Sequence, residues 1–254
     1  MKKHVAACLL FLAGCATGPV IDTSYQSVSQ SSRVRFLVLH YTEGDFPNAL
    51  EILAKGSVSS HYLVRDDPPR IFQLVDENRR AWHAGAGIWA GHPDINSLSI
   101  GIEIVNRGGD PATGRWEEFP KAQMDLVMWL VEDIVRRHEI APDRIIGHSD
   151  VAPQRKIDPG PRFPWKRLAD AGLIRWPDAM EVARRQSVFE QRLPDVEWFQ
   201  RTLARYGFAV PLHGELDEPT RRVIAVFQMK YRQQRYDGMP DAETAAILDA
   251  LVNP

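Results

Sequence analysis

Two histidines and one aspartate are the side chains of this sequence best suited to hold a metal ion. His40 and His148 each close an apolar run that predicts a strand, and Asp158 follows ten residues after His148. Two imidazoles and one carboxylate are the protein ligands of an open, hydrolytic zinc site, whose fourth position takes water. More than a hundred positions separate the two histidines, so residue types alone leave open whether they meet. Asp158, which precedes a proline, equally suits a turn.

Glu103 is a second candidate for chemistry because it interrupts an apolar pattern. Four apolar residues alternate with smaller or polar ones over positions 98–105, which predicts a strand with one strongly apolar face. A carboxylate in such a strand is costly to bury unless it is paired or binds a cation. Glu103 is therefore a candidate catalytic residue, and the alternatives are that it faces solvent or an arginine.

The segments around these residues alternate between strands and helices. Apolar and β-branched runs predict strands at residues 34–40, 61–64, 71–74, 98–105 and 144–148. Helical spacing predicts a short helix over 47–55 and a longer one over 120–139. This alternation predicts a mixed α/β domain over residues 33–175.

The rest of the chain has a purely helical pattern. Residues 176–192 are charged and predict a connecting helix. Three apolar stripes at helical spacing follow, and Asp217 and Asp241 stand where N-caps are expected. We therefore predict a second, small all-α domain of three helices over residues 193–254, close to the lower size limit for independent folding. Two segments of this region resemble an internal repeat.

The amino terminus predicts a targeting signal. A basic start and a short apolar stretch lead to the sequence LAGC, which ends at Cys15 and resembles a bacterial lipobox. We expect residues 1–14 to be a lipoprotein signal peptide, Cys15 to be the lipidated first residue, and 15–32 to form a flexible tether. The alternative is an ordinary signal peptide with a chance cysteine. Ala16 favours the outer membrane, facing the periplasm, by analogy with the enterobacterial sorting rule.

Composition excludes several classes of protein. Lysine and arginine total 31 against 33 acidic residues, so the chain is not a broadly basic nucleic-acid binder. Both cysteines lie within the first fifteen residues, so no disulfide framework is expected. No apolar run approaches the ~20 residues of a spanning helix.

Five motifs follow one another within residues 33–175: VLHYT around His40, SSHYLV, AWHAG, NSLSIGIE, and GHSD through KIDPG. Together they resemble the zinc N-acetylmuramoyl-L-alanine amidase family, which is related to bacteriophage T7 lysozyme and the peptidoglycan recognition proteins. The layout is most similar to outer-membrane lipoprotein members with a C-terminal peptidoglycan-binding module, which the motifs FQRTL, VFQ and YDGMPD resemble. The resemblance implies a mixed central sheet flanked by helices and one Zn²⁺ per chain.

Position by position, the resemblance implies that His40, His148 and Asp158 bind Zn²⁺. Glu103 matches the catalytic glutamate of the family and Lys156 its catalytic lysine.

His61, Tyr62 and His83 match positions near the family's cleft, and Asn96 suits either the groove or the core; all four are expected to bind substrate. A structural role is the alternative for His83, because the set of three metal ligands is already complete without it.

The function that the resemblance implies is hydrolysis of the amide between the lactyl group of N-acetylmuramic acid and L-alanine, in cell-wall turnover. The alternative is a non-catalytic peptidoglycan-binding lipoprotein with the same fold. The expected partners are peptidoglycan or muropeptides and the outer membrane, through the lipid on Cys15. We expect a monomer and no nucleic-acid partner.

Overall fold

The computed structural model describes residue 19 and residues 21–110 and 113–254. The predicted signal peptide and Cys15 lie outside these residues. The chain divides into two compact units, Met1–Ser31 and Ser32–Pro254. Within the first unit, residues 21–31 are exposed and form neither helix nor strand. Among the described residues, no helix has the length and apolar character to cross a membrane.

The second unit contains seven strands and nine α-helices within the described residues. In chain order they are β1 (Phe36–Tyr41), α1 (Phe46–Lys55), β2 (Tyr62–Arg65), β3 (Arg70–Gln73), α2 (Ile95–Leu98), β4 (Ser99–Ile104), β5 (Gly109–Asp110), β6 (Arg115–Trp116), α3 (Lys121–His138), β7 (Ile145–Gly147), α4 (His148–Val151), α5 (Trp165–Asp170), α6 (Ala179–Gln191), α7 (Val196–Tyr206), α8 (Glu218–Tyr231) and α9 (Ala242–Val252). The predicted strands and helices are confirmed to within a few residues.

A five-stranded sheet in the order β3-β2-β4-β1-β7 forms the centre of this unit. Strands β2, β4, β1 and β7 pair in parallel, and β3 pairs with β2 in the antiparallel sense. The predicted mixed central sheet is therefore confirmed. Because parallel strands end at the same edge of a sheet, the carboxyl ends of β1, β4 and β7 lie side by side.

The two faces of the sheet bury different sets of helices. On one face, alternate residues of β1 and β4 such as Leu37 and Ile102 pack against α3 and α5. On the other face, Phe36, Val38 and Ile146 share a core with helices α7 to α9. Each fully buried large apolar side chain contributes about 2 kcal/mol to the free energy of unfolding. The three predicted C-terminal helices thus form as expected and complete a core together with the sheet.

The internal repeat of the helical region is visible in its buried glutamines. Gln200 donates to Thr220 Oγ1 and accepts from the Gly214 N–H, while Gln228 donates to Thr244 Oγ1 and accepts from the Gly238 N–H. In both copies the threonine N–H is bonded by the N-cap aspartate of its helix, Asp217 or Asp241. Both predicted N-caps are confirmed. Each glutamine fixes the loop that leads into the next helix.

A charged cluster joins the loop after β3 to the end of α3. The Glu77 carboxylate accepts hydrogen bonds from the Tyr62 hydroxyl at 2.6 Å, from the Arg137 guanidinium at 2.8 Å and from His138 Nε2 at 2.8 Å. Burial by itself raises the pKa of Glu77, but the hydrogen bonds from Arg137, Tyr62 and His138 outweigh it and lower this pKa to about 2.

Replacing Glu77 by glutamine is expected to lower the free energy of unfolding by about 2 kcal/mol at pH 7, because several charge-assisted hydrogen bonds are lost. The folded-state pKa lies below the ordinary value of 4.5, so the contribution of Glu77 is complete above that pH and is lost as the pH falls towards about 2. Denaturant unfolding at a series of pH values between neutral and acidic checks both effects. Glu132→Gln, on the exposed face of α3, is the control and is expected to change little. A loss for Glu77→Gln that does not depend on pH contradicts the assignment.

Candidate metal centre and cleft

The three predicted metal ligands meet at the carboxyl edge of the sheet. His40 lies near the end of β1, and His148 follows β7 directly as the first residue of α4. The carbonyl of Asp158 accepts a hydrogen bond from Ser149 N at 2.9 Å, which holds the following loop against α4. His40 Nδ1 lies 3.0 Å from His148 Nδ1 and 3.1 Å from Asp158 Oδ2, and His148 Nδ1 lies 3.0 Å from the same carboxylate oxygen. All three side chains are buried.

A chain of hydrogen bonds fixes the tautomer of His40. The Ser99 hydroxyl donates to the Ile95 carbonyl at 2.6 Å, so its oxygen accepts the Nε2–H of His83 at 3.2 Å. His83 Nδ1 is then an acceptor for the Nε2–H of His40 at 3.0 Å. The network therefore leaves Nδ1 of His40 with a lone pair that faces His148 and Asp158.

His148 is fixed in the same tautomer by a simpler contact. Its Nε2–H donates to the Ala84 carbonyl at 2.9 Å, which leaves the lone pair of Nδ1 for the site. The same carbonyl accepts a hydrogen bond from Arg155 at 2.8 Å. Each of the two histidines therefore donates a hydrogen bond from its Nε2–H to a neighbour, as metal-binding histidines do.

The electrostatics of these three side chains fit a cation. Burial, followed by the neighbouring His148, lowers the pKa of His40 to about 4, so its imidazole is neutral. Burial raises the pKa of Asp158, but the two histidines outweigh it and hold this pKa below its usual range. Two lone pairs and a carboxylate oxygen about 3 Å apart repel one another unless a positive charge lies between them. The donor set could hold a divalent metal ion with room for a further ligand.

Glu103 lies beside the cluster on the neighbouring strand. It is the register partner of His40, and its Oε1 lies 3.9 Å from His40 Nδ1. Its Oε2 is buried and has no hydrogen-bond partner among the residues that the structure describes. Burial, followed by the charge of Asp158, raises the pKa of Glu103 well above its ordinary value. A carboxyl group of this kind is suited to accept and return a proton.

Lys156 lies at the same edge, in the loop between α4 and Asp158. Its backbone N–H bonds the Ala152 carbonyl at 3.0 Å, and its side chain is half-buried in the lining of the cleft. Its positive charge lowers the pKa of Glu103, against the larger effect of burial. The structure therefore brings all five predicted metal-binding and catalytic side chains to one place.

Three of the four predicted substrate contacts lie outside the cleft lining. His61 accepts from Gly101 N and contacts the Arg79 carbonyl, Tyr62 points towards α3 and bonds Glu77, and Asn96 accepts from the backbone of His83 and Ala84. These internal bonds engage both ring nitrogens of His61, the hydroxyl of Tyr62 and the side-chain oxygen of Asn96. His83 does line the cleft, and its main contacts are those of the hydrogen-bond chain.

Gly101 leaves the space that His83 occupies. A Cβ atom at this position would lie 2.5 Å from Cγ of His83, so the imidazole reaches Ser99 and His40 only because residue 101 has no side chain.

The cleft has a volume of about 920 Å³, and two different parts of the chain form its walls. One wall carries apolar side chains of α1, such as Ile52, together with Val58 and Trp82, of which Trp82 is 54% exposed. The opposite wall comes from α8 and the loop after it. It contains the side chains Arg222, Ala225, Val226, Met229, Gln234, Arg235, Tyr236 and Asp237.

The residues of this second wall were missed by the sequence analysis. The YDGMPD motif contains two of them, but nothing in the sequence says that this loop faces His40 and Glu103. Tyr236 is held in place by Trp116 of β6, whose indole Nε1 donates to the Tyr236 hydroxyl at 2.8 Å.

Comparison with known proteins identifies the family. The N-acetylmuramoyl-L-alanine amidase family model matches residues 30–161, and that of a peptidoglycan binding domain matches residues 192–248. The chain is 43% identical to the N-acetylmuramoyl-L-alanine amidase AmiD of Escherichia coli K12 over 98% of this chain and 95% of AmiD. The chain belongs to the N-acetylmuramoyl-L-alanine amidase family. The predicted family, fold class and type of enzyme are therefore confirmed.

Solved structures of two family members superpose on the chain. AmpDh3 of Pseudomonas aeruginosa, in complex with anhydromuramic pentapeptide, has a TM-score of 0.84 and 39% identity over 91% of this chain and 96% of its own. AmiD of E. coli, in complex with the substrate anhydro-N-acetylmuramic acid-L-Ala-D-gamma-Glu-L-Lys, has a TM-score of 0.81 and 42% identity over 91% of this chain and 93% of its own. The likeness includes both the amidase segment and the C-terminal helices.

Substitution of His83 by phenylalanine tests the hydrogen-bond chain. We expect the affinity for Zn²⁺ to fall about 10- to 100-fold, because the Nε2–H of His40 loses its acceptor and the tautomer is no longer fixed. Competition with a chromophoric chelator measures the dissociation constant. His92→Phe, which removes a histidine outside the chain of bonds, is the matched control. An unchanged zinc affinity in a folded His83→Phe protein would show that His83 does not orient His40.

Proposed function

We propose that this protein is a zinc-dependent amidase that cleaves the bond between the lactyl group of N-acetylmuramic acid and L-alanine in peptidoglycan or muropeptides, in cell-wall turnover. The observation that carries the proposal is the convergence of His40, His148 and Asp158 beside Glu103, whose Oε2 has no hydrogen-bond partner in the described part of the chain. The relatives in complex with anhydromuramyl peptides support this substrate class. Peptidoglycan contact is further supported by the match of residues 192–248 to a peptidoglycan binding domain.

His40, His148 and Asp158 would hold the zinc ion. When bound, Zn²⁺ supplies Lewis-acid activation of water and of the scissile carbonyl. Glu103 accepts the proton of the attacking water at its free carboxylate oxygen and returns it to the departing amine of L-alanine. Lys156 offers a positive charge to the carbonyl oxygen as negative charge develops there. The bond to L-alanine then breaks without a covalent intermediate on the protein.

The alternative function is peptidoglycan recognition without catalysis. That role needs the fold and the cleft, but it does not need a buried carboxyl with a raised pKa next to three metal ligands. The presence of all five side chains favours hydrolysis. Because one chain contributes all five, a monomer suffices for the reaction.

Glu103→Gln is the variant that tests hydrolysis. We expect the rate of L-alanyl peptide release to fall at least about 100-fold, because the amide cannot accept a proton, while zinc binding persists. Anhydromuramyl tripeptide and purified sacculi are the substrates, and released peptides are measured by liquid chromatography and mass spectrometry. Chelation is expected to abolish release by the parent protein, and added Zn²⁺ to restore it.

The matched control for that experiment is Glu190→Gln, in α6, which is expected to leave the rate unchanged. Full activity of Glu103→Gln would remove the proposed proton acceptor. Activity of the parent protein that survives complete removal of zinc would remove the proposed metal dependence. If the parent protein releases no peptide from either of the two substrates, the recognition role is favoured.

We also propose that the protein is held on the outer membrane, facing the periplasm, by a lipid on Cys15. The sequence LAGC after a basic and apolar start supports this anchor, and Ala16 supports the destination. Residues 21–31 are exposed and lack regular structure, which suits a tether. A tether of this length has a root-mean-square reach of roughly 20 Å, which allows the cleft to meet the cell wall near the membrane.

Cys15→Ser is expected to move the protein from the membrane fraction to the soluble fraction, because the thiol that would carry the lipid is gone. Density-gradient fractionation of membranes, followed by immunoblotting, checks the location. Cys8→Ser removes the other cysteine and is expected to leave the protein in the outer membrane. Retention of the Cys15→Ser protein in the membrane, or parent protein in the inner membrane, contradicts the proposal.

A further inference from the structure

A buried ion pair joins helix α8 to the segment that carries His148. Lys230 Nζ lies 3.0 Å from Asp150 Oδ2, and the two side chains are 5% and 2% exposed. Lys230 belongs to the C-terminal helices, whereas Asp150 lies two residues after His148 in α4. The pair therefore connects the region that matches a peptidoglycan binding domain to the region that matches the amidase family.

Asp150 connects Lys230 to the turn that presents His148. The same Oδ2 atom also accepts a hydrogen bond from the Gly147 N–H at 2.8 Å. Lys230 Nζ further approaches the Ile145 carbonyl at 3.4 Å, at the other end of β7. The ammonium group thus contacts the start of β7 directly and its end through Asp150. His148 is the next residue along the chain.

The surroundings of Lys230 show that packing alone does not explain a charged residue here. Its Nζ lies 4.4 Å from the centre of the Trp165 ring, and its neighbours in α8, Met229 and Tyr231, are buried as well. Burial lowers the pKa of Lys230, but Asp150 and Tyr231 outweigh it, so the ammonium stays charged. An apolar side chain would fill the same space without desolvating a charge. A buried ion pair fixes the relative position of the segments it joins, because its hydrogen bonds are satisfied in one arrangement only.

We propose that Lys230 is a positioning residue of the metal centre. Through Asp150 it holds the Gly147–His148 turn, and thereby aims Nδ1 of His148 at His40 and Asp158. The C-terminal helices then contribute to metal binding as well as to the wall of the cleft. This proposal rests on the proposed function, because it takes these three side chains to be zinc ligands.

Lys230→Met in the full chain tests this role. We expect the dissociation constant for Zn²⁺ to rise about 10-fold, the lower end of the range for residues behind the ligands, because Asp150 is free to turn away from Gly147. The visible absorption spectrum of the Co²⁺-loaded protein is expected to change as well, because it reports the ligand geometry. Chelator competition and absorption spectroscopy supply the two readouts, and circular dichroism confirms that the variant is folded.

Arg232→Met is the matched control. Arg232 lies just past the end of α8, is also buried, and pairs with Asp241, which lies within the helical region itself. Its loss removes an ion pair of another buried cation of this region, with a partly exposed partner, without touching β7 or α4. We expect a lower melting temperature for Arg232→Met, together with the zinc affinity and cobalt spectrum of the parent protein.

Each outcome decides the proposal. If folded Lys230→Met has the zinc affinity and cobalt spectrum of the parent protein, the proposal is overturned. It is also overturned if Arg232→Met loses as much zinc affinity as Lys230→Met, because that result would indicate a general effect of lower stability. If Lys230→Met does not fold, Asp150→Asn replaces it, since it keeps an oxygen for Gly147 N–H but removes the charge that holds Lys230. Failure of the parent protein to bind Zn²⁺ is a separate result, which overturns the proposed metal centre itself.

Discussion

Mutual repulsion among three electron-rich atoms is the constraint that organises this molecule. Nδ1 of His40, Nδ1 of His148 and Oδ2 of Asp158 lie about 3 Å apart in a buried site, and none of them gains from this proximity without a cation. The fold therefore has to hold them together by other means. Parallel pairing of β1 and β7 sets two of the three backbones side by side, and hydrogen bonds at the far nitrogen of each imidazole set the ring orientations.

The residues that hold the predicted ligands in place are themselves held by other parts of the fold. His83 and Ser99 stand behind His40, the Ala84 carbonyl stands behind His148, and Gly101 leaves the room in which His83 can lie. Beyond them, the second face of the sheet is covered by helices α7 to α9. A region that matches a separate family therefore belongs to the same compact unit as the metal centre. The segment that matches a peptidoglycan binding domain and the candidate metal centre consequently lie in one folded body.

Much of this arrangement could be predicted from the sequence, because it depends on local pattern. The strands that end at His40 and His148 follow from apolar runs, and the N-caps Asp217 and Asp241 follow from residue type and position. Glu103 is conspicuous because it interrupts an apolar strand. Each of these features depends on residues that are neighbours in the sequence, so it can be recognised without knowledge of the fold.

Other features depend on contacts between distant segments, which leave no local trace. The role of His83 depends on its contacts with Ser99 and His40. The sequence around Lys230 does not reveal that this lysine pairs with Asp150. The surroundings of His61 and Tyr62 also depend on the fold. They adjoin each other in a motif, but the alternation of side chains along an extended chain turns Tyr62 towards α3 and leaves His61 bonded to the backbone.

The loop after α8 has a consequence for how such an enzyme can change over time. Tyr236 and Asp237 face the cleft from a loop that carries none of the five predicted metal-binding and catalytic side chains. Substitutions there would reshape this wall of the cleft without replacing any of those five side chains, because loop tips tolerate replacement better than packed helices do. This wall of the cleft and the proposed catalytic side chains are thus encoded in separate stretches of the chain. Mutation can therefore change the shape of the cleft in one stretch while the other stretch stays the same.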